Sequence, residues 1–206
     1  MTAAGGAPIE RDDLVRLAVA VVLHDRAGLA RFAQAHGGDA VEDRGLRETL
    51  LQCHLFCGVP RTIAALDALR ESGLTLAPAP PSERSAEEQG AEGAALFDEI
   101  YGDGADGVRR HVEALEATFA RWVAEHAYGR VLARTGLDAP TRELIAVACL
   151  AATGHDRQLA SHARGAVRCG ASPEDVAHVL EVIEPALRPD RLTRARDVIA
   201  RFARAD

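Results

Sequence analysis

The chain has 206 residues, of which 48% are hydrophobic but only 4% are aromatic, and its formal net charge is −7. This composition excludes a wholly disordered chain, and its small aliphatic side chains favour packed helices over a β-sandwich. The net negative charge argues against nucleic acid or an anionic membrane as a partner. All basic residues are arginine, which excludes Schiff-base chemistry on a lysine.

The N-terminal segment and the cysteines predict a cytoplasmic protein. Residues 1–6 are polar, with no basic or long apolar stretch, so we expect no secretory signal. No uninterrupted apolar run approaches the ~18 residues of a transmembrane helix. In a reducing compartment the cysteines are expected to be free thiols, with Cys169 the most exposed of them and the others in the core: Cys53, Cys57 and Cys149.

The first part of the chain shows apolar residues at helical spacing and no strand signal. Glycines and a proline divide it into helices predicted over residues 9–24, 27–36, 43–56 and 60–71. Residues 74–92 break this pattern, because they are rich first in proline and then in glutamate. They are interpreted as a linker.

The second part of the chain is also predicted to be helical, so the fold class is all-α. Helices are predicted over residues 94–100, 112–134, 141–152 and 156–169, from Ser172, and over 191–203, with a loop at 101–107. Asp138 is expected to cap the helix over 141–152, which is almost entirely apolar and is predicted to be buried. Phe119 and Trp122 are interpreted as core or interface residues.

The two parts align without gaps at an offset of 130 residues, which places Glu143 on Asp13 and Leu159 on Leu29. We therefore predict two copies of one helical unit, packed about a pseudo-two-fold axis. The predicted organisation is a first unit at 1–73, a linker at 74–92 and a second unit at 93–206.

Three polar residues stand out against the apolar second half: Glu143, His155 and His162. Two antiparallel helices joined by a short turn would bring Glu143 and His162 together, and a carboxylate facing an imidazole can relay protons near neutral pH. The alternative is structural, with Glu143 complementing a helix N-terminus and His162 half-buried. These spacings match no usual metal-ligand motif, so no metal is expected.

Several segments carry a family resemblance. They are YGRVLARTGLD at 128–138, TRELI at 141–145, LASHARGA at 159–166 and CGASPEDV at 169–176, with LLQCHLFCGVPR at 50–61 in the first half. These segments resemble the carboxymuconolactone decarboxylase family. The resemblance implies an all-helical, commonly homo-oligomeric protein that shares its fold with alkylhydroperoxidase D-like proteins.

Those relatives use a Glu, a Cys-x-x-Cys pair and a His as a proton relay. Glu143 and His162 fall on the Glu and the His, whereas the two Cys positions hold His155 and Gln158. The redox pair is therefore absent, and disulfide-based peroxidase chemistry is not expected at this site. In the first half, Phe32 stands at the His position.

The resemblance implies a lyase that decarboxylates a small carboxylated lactone without a cofactor. His162 would act as the acid and Glu143 would set its tautomer, in a partly apolar pocket. His155, Arg142 and Arg164 are the substrate-binding candidates, although a surface position is favoured for both arginines. Two alternatives stay open: a peroxidase-type redox protein with non-standard cysteines, and a non-catalytic family member.

Overall fold

The computed structural model describes residues 8–79 and 84–204, and in this part of the chain helices dominate, which confirms the all-α fold class. The expected N-terminal segment and part of the expected linker lie outside the described residues. The helices are α1 Arg11–Leu23, α2 Arg26–His36, α3 Arg44–Glu71, α4 Ala86–Tyr101, α5 Ala105–Leu115, α6 Ala117–Trp122, α7 Ala139–Thr153, α8 Asp156–Arg168, α9 Pro173–Ile183 and α10 Pro189–Phe202. Residues Val123–Leu132 continue α6 as a π-helical stretch, here called the π segment.

Two short strands depart from the predicted fold. The strand β1, Gly38–Val41, pairs in parallel with β2, Leu74–Leu76. The expectation of no strand is wrong here, because such short strands are below the length at which alternation can be recognised.

Helix ends follow local chemistry. Asp138 accepts the Thr141 N–H at 2.9 Å, which confirms the predicted cap of α7. Ser85 and Glu88 form a capping box, so α4 begins well before the predicted residue 94. Gly58, with φ of 79°, bends α3 where two separate helices were predicted.

The core is built mainly on α1 and α7, which lie against each other and against α3 and α9. Every residue of α7 from Arg142 to Ala151 is buried, as its apolar sequence predicts. Phe119 and Trp122 were predicted to lie in the core or at an interface; they are 55% and 62% exposed, which excludes the core and leaves the interface as a prediction. Among the described residues, no helix is long and apolar enough to cross a membrane.

Candidate functional site

Glu143 and His162 meet in the interior of the helical hairpin formed by α7 and α8. The Glu143 Oε2 and the His162 Nδ1 are 2.9 Å apart, and the exposed fractions of the two side chains are 1% and 11%. Because an ionised carboxylate can only accept hydrogen bonds, it selects the form of the ring in which Nδ1 carries a hydrogen. The Nε2 atom of His162 is then the nitrogen that can exchange a proton with another molecule.

The protonation of His162 reflects two opposed effects. Burial lowers the pKa of the imidazole, but the charge of Glu143 and the hydrogen bond to it outweigh burial. The pKa of His162 is therefore raised above its ordinary value. A histidine with a raised pKa keeps its proton closer to neutral pH and is suited to act as a general acid.

The close approach of α8 to Glu143 depends on Gly165, three residues after His162. A Cβ on Gly165 would lie 2.7 Å from the Glu143 Oε2 and 2.7 Å from the Ile100 Cγ2. Any other residue at this position would push the carboxylate or the end of α4 away. Gly165 is thus a positioning residue for the acid–imidazole pair.

Two tyrosines lie beside the pair and were not among the predicted site residues. The Tyr128 hydroxyl donates to the Tyr101 hydroxyl at 3.0 Å, and both rings pack on Phe97. Burial raises the pKa of each tyrosine, and the charge of Glu143 raises it further. They are the only two tyrosines in the chain. This rarity was the one feature of the sequence that could have drawn attention to them.

Arg142 does not lie on the surface, contrary to expectation. Its Nη2 donates to the Glu48 Oε2 at 2.9 Å and to the Arg134 carbonyl oxygen at 2.8 Å, and its Nη1 donates to the Gln52 Oε1 at 3.3 Å. Its side chain is 2% exposed. The contacts of this guanidinium are internal, which removes Arg142 as a candidate for binding a substrate carboxylate.

Arg164 and His155 lie away from the pair. The Arg164 guanidinium stacks on the Phe202 ring at 4.9 Å, and two residues along a helix is roughly a half-turn, so it points away from His162. His155 is exposed at the start of α8, with its Nδ1 2.8 Å from the Thr153 Oγ1. It shares the face of His162, about 10 Å along the helix axis.

All four cysteines are free thiols. Cys53 and Cys149 are buried, as expected, whereas Cys57 and Cys169 are partly exposed. The neighbouring Cys149 and burial raise the pKa of Cys53, and burial raises that of Cys57. Burial, then Glu143 and Glu99, raises the pKa of Cys169 to about 12. The thiolate forms of these three cysteines are therefore scarce at neutral pH.

Two cavities lie near the helical hairpins. The smaller, about 320 Å³, has Phe97 and Tyr128 in its wall, and the larger, about 710 Å³, is bounded by α1, α2 and the end of α9. As residues 8–79 and 84–204 define them, neither cavity has Glu143 or His162 in its wall. An open pocket at the pair therefore stays a prediction. Within the same ranges, no three His, Cys, Asp or Glu side chains form a metal-binding group.

Comparisons with known proteins cover most of the chain. Residues 117–201 match the model of the family described as "Carboxymuconolactone decarboxylase family". The chain is also 31% identical over 156 residues to "Peroxisomal protein 2" of Schizosaccharomyces pombe, a match that covers 73% of this chain and 71% of that protein. The family match contains both Glu143 and His162.

Proposed function

Because the chain belongs to the carboxymuconolactone decarboxylase family, we propose that it is a lyase that releases carbon dioxide from a small carboxylated lactone or a related unsaturated acid. Glu143 and His162 are the proposed proton-transfer pair. The observation that carries this proposal is their buried contact of 2.9 Å between Oε2 and Nδ1, together with the raised pKa of the imidazole.

The proposed reaction places one proton transfer on His162. The bond between the substrate carbon and its carboxylate breaks, carbon dioxide leaves, and the electron pair stays on the substrate as an enolate-like anion. The protonated His162 delivers the Nε2 proton to that carbon, while Glu143 holds the Nδ1 hydrogen and stabilises the positive ring before transfer. Water returns the proton to His162 at the end of the cycle.

The substrate approaches, on this proposal, along the face of α8 that carries His155 and His162. His155 is the proposed contact for the far end of the substrate, because it is exposed and lies on that face. The Tyr101 hydroxyl is a second proposed donor beside the developing anion. The cytoplasm remains the proposed location, although the name of the Schizosaccharomyces pombe relative refers to the peroxisome.

The test is carbon dioxide release by the purified chain from a panel of unsaturated γ-lactone carboxylic acids. We expect turnover by the natural sequence, and a loss of about 10²-fold or more in kcat for His162→Ala, as is typical when a general acid is removed. Glu143→Gln keeps the side-chain shape and should reduce kcat while shifting the pH–rate profile towards lower pH.

The matched control is His111→Ala, because His111 is an exposed histidine on α5. It should retain natural turnover, and circular dichroism should show that all variants are folded. Failure of the natural chain to release carbon dioxide from any member of the panel would refute the lyase proposal and favour a non-catalytic family member. Full activity of His162→Ala would remove His162 from the mechanism.

We also propose that the chain comprises two diverged units offset by 130 residues. The turns that follow α1 and α7 support this, since His24 and Gly154 occupy equivalent positions and both are left-handed, with φ of 58° and 82°. Reciprocal contacts support it as well. Arg142 contacts Glu48 at 2.9 Å, and the equivalent positions, Asp12 and His178, are in contact at 3.0 Å.

Assembly of the chain into a homo-oligomer is a further proposal. Leu115, Phe119 and Trp122 are 71%, 55% and 62% exposed and follow one another along α5 and α6. Exposed apolar side chains of this size are typical of surfaces covered by another protein. Light scattering should give more than one copy per particle, and Trp122→Glu should reduce the assembled fraction.

A further inference from the structure

The larger cavity, about 710 Å³, lies between α1 and α2 of the first half and the end of α9, and its wall does not include Glu143 or His162. Its size is within the ~300–1,000 Å³ range of small-molecule sites. Its apolar wall includes Leu17, Ala20, Phe32 and Ile183, contributed by α1, α2 and α9. A ligand with an apolar body of moderate size therefore fits between these three helices.

An acid–imidazole pair lies in the wall of this cavity. The Asp13 Oδ2 is 3.1 Å from the His36 Nε2, and the Asp13 Oδ1 accepts from the Arg16 Nη1 at 2.7 Å. The His36 ring packs on Phe32, with ring centroids 4.6 Å apart. The exposed fractions of the Asp13 and His36 side chains are 33% and 23%, so this pair is open where Glu143 and His162 are enclosed.

Equivalent positions explain why the first half is open. Asp13 corresponds to Glu143 at the offset of 130, and His36 lies one helical turn beyond Phe32, the equivalent of His162. In the second half, Ile100 of α4 packs on Gly165 beside the pair. The equivalent of Gly165 is Ala35, which lines the cavity.

We propose that this cavity binds a small molecule with an apolar body and one carboxylate. The proposal does not depend on the lyase reaction. The charged side chains of the wall are Asp13, Asp25, Arg16, Arg31 and His36. Arg16 and Arg31 are the permanently charged cations of this wall, and a guanidinium is a preferred partner of a carboxylate.

Arg31 is the cation best placed to receive that carboxylate. Its Nη2 is 3.6 Å from the Asp25 Oδ2, and its side chain is 71% exposed, so the existing ion pair holds it loosely. Arg16, by contrast, already donates to Asp13 at 2.7 Å. The carboxylate therefore lies at the Arg31 edge, and the apolar body lies against Leu17 and Phe32.

The test uses the full chain and isothermal titration calorimetry, with decanoate as the probe and decan-1-ol as its uncharged counterpart. We expect saturable decanoate binding at one site per chain. Arg31→Gln should weaken decanoate binding about fivefold and leave decan-1-ol binding unchanged, since a partly exposed ion pair contributes about that much. Ala35→Trp should abolish binding of both probes, because the indole fills the cavity from an exposed position.

Matched controls lie on the same helix outside the cavity wall. Arg26→Gln and Gln34→Trp repeat the two chemical changes and should bind both probes as the natural chain does. His162→Ala should also bind decanoate normally, which separates this proposal from the lyase proposal. Absence of saturable decanoate binding, or binding unaffected by Ala35→Trp, would overturn it. So would a change in oligomeric state in Ala35→Trp without a change in decanoate affinity, which would assign the cavity to a second copy.

Discussion

Replacing Glu48 by glutamine removes a carboxylate of the first half that contacts two arginines of the second half. Glu48 accepts from Arg134 at 2.9–3.0 Å and from Arg142 at 2.9 Å, and its side chain is 4% exposed. Burial lowers the pKa of Arg142, and Glu48 opposes this shift. The Nε of Arg142 has no hydrogen-bond partner among the described residues. In Glu48→Gln, a buried guanidinium is left without a counter-charge.

The expected loss in the free energy of unfolding is about 3 kcal/mol. Breaking a buried ion pair costs about 3–5 kcal/mol, and the lower end applies because the amide oxygen of the introduced glutamine still accepts a hydrogen bond. Arg134 is also 30% exposed and can turn towards water. At about 2–4 °C per kcal/mol for a chain of this size, the melting temperature should fall by about 6–12 °C. Thermal unfolding followed by far-ultraviolet circular dichroism measures this change.

A second variant isolates the cause. Glu48→Gln combined with Arg142→Met removes the charges of both residues and should recover part of the lost stability, because the remaining partner of Glu48, Arg134, is 30% exposed and can turn towards water. Glu181→Gln is the control, since Glu181 is 72% exposed and its loss should change stability by less than about 0.5 kcal/mol. A Glu48→Gln melting temperature within about 2 °C of the natural chain would refute this account of the buried charges.

Gly165→Ala should destabilise the fold by about 1–3 kcal/mol, because the new Cβ would lie 2.7 Å from the Glu143 Oε2. Gly107→Ala is the control and should not destabilise the fold, because a Cβ there meets no atom within 4 Å. Urea unfolding measures the free energy of unfolding of both variants. The raised pKa of His162 means that its stabilising contribution is complete below about pH 6.5 and is lost as the pH rises through the raised value. NMR titration of the ring measures that pKa, and a value below 6.5 would contradict the expectation. The rate of labelling of the Cys169 thiol should rise about tenfold per pH unit from pH 7 to 9, because its pKa is about 12. The Cys169→Ser variant lacks this labelling phase and so identifies it. A labelling rate that levels off near pH 8.5 would be inconsistent with the raised pKa.

Most helices were predictable from the sequence because their boundaries are set by neighbouring residues. The cap at Asp138 and the end of α7 at Gly154 are local, and so is the box formed by Ser85 and Glu88. The sequence S-A-E-E at 85–88 carried that last signal, but it lay inside a segment interpreted by its composition as a linker. Capping residues close to a helix end are therefore sufficient to predict where that helix begins or ends.

Contacts between distant residues limited the prediction of the site. The pairing of Glu143 with His162 spans 19 residues and one helical hairpin, so helix geometry was enough to expect it. The burial of Arg142 depends on Glu48, 94 residues earlier in the chain, and no local pattern indicates that partner. The placement of Tyr101 also depends on tertiary packing, because α4 reaches α8 only in the folded chain.

On the proposal of two diverged units, the signs of the charges at the reciprocal contacts favour association between one unit of each kind. Two first units would oppose Asp12 to Glu48, and two second units would oppose Arg142 to His178, so both like-with-like pairings are repulsive. The pKa of His178 is raised by its hydrogen bond to Asp12, which strengthens its positive character. Only the mixed pairing satisfies both contacts. On the same proposal, cleavage between the units is expected to yield fragments that recombine as one of each kind, and neither fragment would replace the other.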